Sequence, residues 1–370
     1  MMTRRSFVKQ SLVTSTSMLL ASMMGCSFSK LASAAERRRW QMPDEGAPHA
    51  ATWMAFGASA NIWEPHLLPV VRENLATIAK TIAAFEPVNM LVREEDSDLA
   101  AQLCGSTVNL LIHPIDDLWI RDTGPVFVNN SSGEHGGIGF NFNGWGDKQE
   151  HARDAEVAEF VTDYTRAAFI RSSLVLEGGG IEVDGEGTAI ITESCVINPN
   201  RNPGVSKAEC EKELKHLLGL EKIIWLPGIA GKDITDGHTD FYARFTHPGT
   251  AVAGLEQDQS SFDYAVTRRH LEILRAATDA KGRRLKVITL EGPSAIRPAY
   301  ASNDFAAGYI NFYVCNGAII APEFGDKRTD RNTRDILQEL FAEREIIQLN
   351  IDGIAAGGGG IHCATQQQPR

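Results

Sequence analysis

The chain has 370 residues with a formal net charge of −11 at pH 7, and its 43% hydrophobic content is ordinary for a globular enzyme. So acidic a surface is a poor partner for nucleic acid and a natural one for small cations. The six cysteines are scattered without a Cys-x-x-Cys pair, which argues against a disulfide framework and against a zinc site.

The first 34 residues have the features of a twin-arginine export signal. Thr3–Lys9 carries two adjacent arginines, a modestly apolar stretch runs from Leu12 to Gly25, and Ala32–Ala34 offers a cleavage site. We expect a periplasmic or secreted protein, with lipid anchoring at Cys26 as a minority alternative. A membrane span needs about 20 apolar residues, so no stable span is predicted. Cleavage removes four basic residues and no acid, leaving −15 (−11 − 4) on the mature chain.

Residues 35–370 predict one α/β catalytic domain, because apolar runs typical of strands interleave with helical patterns. Apolar residues from Leu67 to Phe85 follow helical spacing, and a capping box at Ser206–Glu209 predicts a helix that runs to Leu218. Further helices are expected near 152–167, 262–279 and 331–343. Strands are expected at Val88–Val92, Leu110–Ile115, Pro125–Val128, Ile138–Phe142, Leu174–Leu176, Ala189–Thr192, Ile223–Leu226, Leu285–Leu290, Ile310–Val314, Ala318–Ile320 and Ile346–Ile351, with a hairpin turn at Asp184–Gly187.

Four polar segments interrupt this alternation. They are Ile115–Pro125, Leu176–Gly180, Thr235–Asp240 and the segment around Cys363. Acids beside Gly and Pro are common turn formers, and for Asp116, Asp117 and Asp236 we favour that interpretation. No phosphate-binding glycine motif follows a predicted strand, so a nucleotide site is not indicated.

Cys363 follows four glycines, Gly357–Gly360, where we expect a strand to give way to a tight turn. Glycine permits close approach of the backbone, so the thiol can stand at the mouth of a pocket as a nucleophile. The alternative is a small buried hydrophobic residue.

His238 and Asp240 are two residues apart, and on an extended strand both side chains would face one space. Trp119, close to Asp122, would supply an apolar wall of that space or belong to the core.

A thiol, an imidazole and several carboxylates suit chemistry on a guanidine. A guanidinium stays protonated and needs carboxylate partners, and those acids raise the pKa of the thiol until the cation arrives. Attack on the guanidinium carbon, loss of ammonia and hydrolysis of the amidino-thioether need neither a metal nor a cofactor.

These segments, together with Asn198–Pro203 and Ile310–Tyr313, resemble the agmatine deiminase family, which is grouped with bacterial-type peptidylarginine deiminases among guanidino-modifying enzymes. The resemblance runs from about Trp53 to the last residues. It implies a pentein fold, which is five ββαβ-type modules around a pseudo-fivefold axis. It also implies Cys363 as nucleophile, His238 as general acid and base, Asp122 and Asp240 as guanidinium-binding acids, and Glu177 and Trp119 as further substrate-binding residues.

Two departures bear on the substrate. Ile234 stands where agmatine deiminases commonly have an acid, and Gly360 stands where the family often has Asn. The expected reaction is conversion of agmatine to N-carbamoylputrescine and ammonia. Deimination of peptidyl-arginine or of another small guanidine is the alternative, and a non-catalytic periplasmic guanidine-binding protein is an outside alternative. A metal-dependent ureohydrolase would need compact His and Asp motifs. Whether the protein is a homo-oligomer stays open.

Overall fold

The computed structural model describes residues 39–302 and 304–370, so the predicted export signal and Cys26 lie outside the described residues. In this part of the chain the strands form five small sheets. The strands are β1 (Trp40–Gln41), β2 (His49–Phe56), β3 (Val88–Val92), β4 (Val108–Ile112), β5 (Val126–Asn130), β6 (His135–Gly139), β7 (Ala168–Arg171), β8 (Ile181–Val183), β9 (Thr188–Thr192), β10 (Lys222–Leu226), β11 (Ala243–His247), β12 (Thr250–Leu255), β13 (Lys286–Glu291), β14 (Tyr313–Cys315), β15 (Ala318–Glu323), β16 (Glu345–Asn350) and β17 (Gln366–Pro369).

Helices of eight or more residues connect the strands. They are α1 (Leu68–Ala83), α2 (Ser97–Cys104), α3 (Val157–Thr165), α4 (Lys207–Leu218), α5 (Asp263–Ala276) and α6 (Lys327–Leu340). Shorter helical turns lie at Ile120–Thr123, Gly144–Asp147, Glu193–Val196 and Asp352–Ala356. Within residues 39–302 and 304–370, none of the helices has the length and apolar character needed to cross a bilayer.

One module is repeated around the molecule. β8 and β9 form an antiparallel hairpin across Asp184–Gly187, α4 follows, and β10 returns parallel to β9. The same order recurs in β5–β6–α3–β7, β11–β12–α5–β13 and β14–β15–α6–β16. A helix is the usual crossover between parallel strands. The α/β class and the ββαβ repeat predicted above are therefore confirmed.

The fifth module is closed by the C-terminal strand, β17. β17 pairs antiparallel with β2, with Gln366 opposite Trp53, and α1 and β3 complete the module. The C-terminal strand thus takes the place that the first strand of the hairpin occupies in the other modules. Closure of this kind fixes the position of Cys363, which lies three residues before β17.

The core forms where helices cover the sheets. Val71, Leu75, Ile78 and Ile82 of α1 are fully buried, as the helical spacing predicted. The capping box of α4 is present, with Ser206 and Glu209 bonded to each other's backbone N–H groups. Packing of these apolar faces, more than local propensity, holds the helices in place.

At two places in the fold the local structure differs from the expectation. Leu174–Leu176 is a loop, not a strand: Leu176 N donates to Phe140 O at 3.0 Å, and both leucines are buried. A short apolar run can belong to a core-lining loop as well as to a strand. Similarly, β16 does not lead directly into the glycines, because the helical turn Asp352–Ala356 comes first. Asn74 of α1 holds that turn by accepting from Gly353 N at 3.0 Å, a contact that no local pattern reveals.

Candidate active site

Cys363 lies in a tight turn just before β17, and the glycines bring this turn against aromatic side chains. A Cβ on Gly359 would lie 2.1 Å from the Trp119 ring, so only glycine lets the backbone pass there. The predicted close approach of the backbone is therefore present, although its partner is an indole of the same chain.

The Cys363 sulfur is buried beside the carboxylate of Asp240 and the amide of Asn311. Its Sγ lies 3.5 Å from Asp240 Oδ2, and Asn311 Nδ2 donates to Sγ at 3.2 Å. Burial first, and then the charges of Asp240 and Asp122, raise the pKa of the thiol well above its usual value. Hydrogen bonds from the Gly360 backbone and Asn311 oppose this rise without cancelling it. At neutral pH this environment keeps the thiol protonated.

Asp240 is positioned by His362. The Nδ1 atom of His362 lies 2.8 Å from Asp240 Oδ2, and its Nε2 lies 2.8 Å from Glu45 Oε2. Burial would raise the pKa of Asp240, but the hydrogen bond and charge of His362 bring it below the usual value. In the described part of the chain, Asp240 Oδ1 is buried and has no hydrogen-bond partner. Asp240 is therefore an ionised carboxylate with one oxygen free to accept from a ligand.

His238 and Asp240 are brought to the same space, but not by an extended strand. The chain turns through a single 3₁₀ segment at Thr239–Phe241, which is held where Thr239 Oγ1 donates to Gly180 O at 3.1 Å. Spacing alone could not show this, because Gly180 belongs to another module. The predicted strand is wrong, and the predicted juxtaposition is present.

The imidazole of His238 lies between two carboxylates. Its Nε2 is 3.2 Å from Glu177 Oε2, and its Nδ1 is 3.7 Å from Asp122 Oδ2. Burial would lower the pKa of His238, but Asp122, Glu177 and Asp240 outweigh it and raise the pKa to about 9. The ring is therefore protonated at neutral pH and can give up a proton.

Asp122 is fixed by two N–H donors. Trp145 Nε1 donates to its Oδ2 at 3.0 Å, and Gly179 N donates to its Oδ1 at 3.0 Å. Burial and the charge of Glu177 raise the pKa of Asp122, while His238 opposes the rise. Gly179 must be a glycine, since its Cβ would lie 2.6 Å from His238 Nδ1.

Glu177 is held from behind by a buried arginine. Arg201 Nε donates to Glu177 Oε1 at 2.7 Å, and Arg201 Nη1 donates to Asp236 Oδ2 at 2.8 Å. Burial would raise the pKa of Glu177, but His238 and Arg201 lower it. Asp236 also accepts from Gly231 N and has a left-handed backbone, in keeping with its interpretation as a turn former.

Trp119 forms a wall together with a second tryptophan. The rings of Trp119 and Trp63 are stacked with centroids 6.0 Å apart, and both indoles donate to Asp117 at 2.9 and 2.7 Å. Gln149 donates to the same carboxylate at 3.0 Å. Burial raises the pKa of Asp117 to about 6, although these donors oppose the rise. Asp117 therefore fixes the orientation of both rings, a role beyond that of a turn former.

A cavity of about 240 Å³ opens over the sulfur of Cys363. Its acidic lining residues are Asp122, Asp117 and Glu64, and within the described chain its lining contains no Lys or Arg. Aromatic and aliphatic walls come from Trp63, Trp119, Trp145, Leu67 and Ile234. Such a space suits a small, partly apolar cation. Across residues 39–302 and 304–370, no group of His, Cys, Asp and Glu side chains is arranged to hold a metal ion.

Known proteins match this chain over nearly all of its described length. The family model of Porphyromonas-type peptidyl-arginine deiminases matches residues 41–369. The chain belongs to this family. The identity to a relative from Streptomyces coelicolor is 42% over 340 residues, covering 90% of this chain and 99% of the relative. The chain is also 38% identical to the agmatine deiminase of Pseudomonas aeruginosa strain LESB58, covering 89% of this chain and 95% of that enzyme.

Solved structures place this peptidyl-arginine deiminase family member in the pentein fold. The agmatine deiminase of Enterococcus faecalis superimposes with a TM-score of 0.85 at 31% identity, covering 90% of this chain and 97% of that one. A dimethylarginine dimethylaminohydrolase, at a TM-score of 0.50 and 12% identity, shares the fold. The predicted family and the predicted pentein fold are both confirmed.

The site of this deiminase family member contains residues that sequence reasoning gave no role. Asn311 holds the sulfur, His362 holds Asp240, and Glu45 joins His362 to Arg121 at 3.0 Å and to Arg244 at 2.8 Å. A histidine directly before the predicted nucleophile was a usable signal for His362. Glu45 offered none, since its partners are far away in the sequence.

Proposed function

We propose that this protein is a deiminase that hydrolyses a small guanidine, converting agmatine to N-carbamoylputrescine and ammonia. The observation that carries the proposal is the cluster of a thiol, an imidazolium and two carboxylates, of which Cys363 and Asp122 line the cavity, in a chain 38% identical to an agmatine deiminase. The acids Asp122 and Asp240 would clamp the planar guanidinium with charge-assisted hydrogen bonds, which makes up for the water that the cation loses.

The thiol is activated by its own substrate in this scheme. A cation between Asp122 and Asp240 offsets the negative charges that raise the pKa of Cys363, so the thiolate forms when the guanidinium is in place. Its proton passes to water through the cavity. Sulfur then attacks the guanidinium carbon and gives a neutral tetrahedral adduct.

His238 moves the protons of the two steps. Its imidazolium protonates the departing nitrogen, the C–N bond breaks, ammonia leaves, and a cationic amidino-thioether remains on Cys363. Water then attacks the same carbon while neutral His238 takes a proton from it. The C–S bond breaks, the hydroxyl proton of the adduct passes to the departing sulfur, and the ureido product leaves with the thiol restored. Glu177, on the far ring nitrogen of His238, stabilises the imidazolium in both steps.

Peptidyl-arginine is the second candidate substrate, because the matching family model describes peptidyl-arginine deiminases. Free arginine is disfavoured, since none of the lining residues in the described chain is a Lys or Arg that could pair with its carboxylate.

A substrate panel tests the proposal directly. Ammonia and ureido product are measured from agmatine, free arginine and arginine peptides supplied in parallel to the mature chain. Turnover of agmatine above the others is expected, and turnover of peptides with none of agmatine would refute the substrate assignment. Mass spectrometry of the parent and Cys363→Ser during turnover should show an amidino adduct on the parent alone. No adduct and no ammonia would favour a guanidine-binding protein.

We further propose export by the twin-arginine route, supported by the residues at Arg4 and Arg5 and by the cleavage site before Ala35. Cell fractionation of the full chain and of a variant with Arg4→Lys and Arg5→Lys tests it. Retention of the variant in the cytoplasm is expected, whereas unchanged fractionation would refute it. The mass of the exported chain distinguishes cleavage at residue 34 from lipid attachment at Cys26.

A further inference from the structure

The cavity has a charged feature at its mouth that the reaction itself does not use. Glu64 lines the cavity, and its side chain is 74% exposed. Residues on either side fix its position: Trp63 N donates to Ser59 O at 2.8 Å, and Leu67 N donates to Glu64 O at 2.9 Å. Because Trp63 is also anchored by Asp117, the backbone that carries Glu64 is held against the cavity wall.

The other acids near the cavity are already engaged. Asp117 accepts from Trp63, Trp119 and Gln149, and Asp122 lies at the bottom beside His238. Glu64 has only an exposed neighbour among the described residues, His66, whose Nδ1 is 3.2 Å from its Oε2. Among the acids of this lining, Glu64 is therefore the one whose carboxylate has no buried donor in the described part of the chain.

Within the described chain, the lining near Ile234 adds no charged side chain to the cavity. Ile234 presents an apolar side chain to the cavity. The nearby acid Asp233 is occupied, because its Oδ1 accepts from Thr235 N at 2.7 Å and from Gly237 N at 3.3 Å. Lys148 is turned to the backbone of Ile234 and to Asp236 at 2.9 and 2.7 Å.

We propose that Glu64 is a specificity-determining residue that binds the distal cation of the substrate, so that the enzyme selects guanidines whose other end is an ammonium group. This inference rests on the proposed function, because it assumes that the guanidinium lies over Cys363. A cation at each end of the ligand would then meet acid, at Asp122 and Asp240 inside and at Glu64 at the mouth, with the alkyl chain along Trp63 and Trp119. The same carboxylate repels a substrate that ends in a carboxylate.

Three guanidines of similar length isolate the effect of the distal group from the effects of the guanidinium and the alkyl chain. Agmatine ends in an ammonium, n-butylguanidine ends in a methyl, and 4-guanidinobutyrate ends in a carboxylate. We expect Glu64→Gln to lower kcat/KM for agmatine by about threefold to tenfold, mostly through KM, and to leave n-butylguanidine unchanged. Glu64→Lys should reduce agmatine turnover further and increase that of 4-guanidinobutyrate. The agmatine preference of the parent should fall at high salt.

Asp147→Asn is the matched control. Asp147 is an exposed acid beside a histidine, 3.8 Å from His151 Nε2, and it does not line the cavity. Its substitution removes the same unit of charge nearby and should leave the ratio of agmatine to n-butylguanidine unchanged.

A second readout keeps this inference separate from the proposed function. Calorimetric binding of the same ligands to Cys363→Ser, with and without Glu64→Gln, measures the distal contact without chemistry. If the parent turns over no guanidine, the proposed function fails, and the binding ratio still decides the role of Glu64. Equal loss for agmatine and n-butylguanidine, or no change for either, in both assays would overturn the inference.

Discussion

Asp240→Asn should lower the turnover of agmatine and, at the same time, raise the reactivity of the Cys363 thiol toward an alkylating reagent. The substitution is nearly isosteric, and the amide oxygen can still accept from His362 Nδ1, now 2.8 Å away. It removes one negative charge 3.5 Å from the sulfur. Two unit charges about 4 Å apart interact by about 4 kcal/mol at an effective dielectric constant of about 20.

An interaction of about 4 kcal/mol with the Asp240 charge attracts the substrate cation and repels the thiolate. Loss of the attraction to the guanidinium should lower kcat/KM for agmatine by about 10³-fold. Loss of the repulsion should lower the pKa of the thiol, so that alkylation by neutral iodoacetamide at pH 8 becomes at least about tenfold faster.

Ammonia release and mass-resolved alkylation of Cys363 measure the two effects. Cys363→Ser gives the alkylation background of the remaining cysteines, and thermal unfolding shows whether the variant is folded. If turnover falls while alkylation also slows or stays the same, the electrostatic account is wrong, and Asp240 acts through packing or through His362 instead.

Three further variants test separate parts of the site. Glu177→Gln should lower the pKa of His238 from about 9, because the new amide can donate to Nε2 of its ring. Since protonated His238 is the acid, kcat should then fall at a pH about one to two units lower on the alkaline side, and an unchanged alkaline pH profile would contradict this. Gly179→Ala places a Cβ 2.6 Å from the His238 ring and should lower kcat/KM by about 10²-fold. The control Gly292→Ala places a Cβ no closer than 3.8 Å to a non-adjacent residue of the described chain and should leave kcat/KM unchanged. Asp117→Asn places an amide N–H against one of the two indole N–H groups that donate to the carboxylate. We expect the free energy of unfolding in urea to fall by about 1–3 kcal/mol and KM to rise, and an unchanged tryptophan fluorescence spectrum would refute the role of Asp117 in orienting Trp63 and Trp119.

Helices with a clear local signal were predictable, and strands that depend on distant partners were not. The capping box at Ser206 is a four-residue pattern, and its helix was predicted to the correct last residue. β2 was missed because a strand buried on both faces shows an unbroken apolar run without alternation. β17 consists of three glutamines and a proline, and it is a strand only because β2 accepts it as a partner.

Sequence motifs predicted the acids and the imidazole of the site, whereas the geometry of these groups depends on contacts between modules and was not predictable. Segments around positions 122, 238 and 363 converge although more than a hundred residues separate each from the next, and the family resemblance was what joined them. The His238–Asp240 spacing named the correct pair on the wrong element, because Thr239 bends the chain toward Gly180. His362 is bridged to Glu45 across 317 positions, a separation at which no sequence pattern is available.

The arrangement of charges explains how the thiol of Cys363 can be protonated and unreactive in the empty site and still act as the nucleophile of the proposed reaction. Each of the three acids in the site has a basic partner: Asp240 has His362, Glu177 has Arg201, and Asp122 shares His238 with Glu177. His362 lowers the pKa of Asp240, and His238 and Arg201 lower that of Glu177, whereas burial keeps the pKa of Asp122 raised. The charges of Asp240 and Asp122 still raise the pKa of Cys363. In the proposed reaction a cation in the cavity would offset these charges, and a planar guanidinium bound to Asp122 and to the free oxygen of Asp240 would have its carbon beside the sulfur. Binding and activation are then one event, because a ligand without a positive charge leaves the thiol protonated and unreactive.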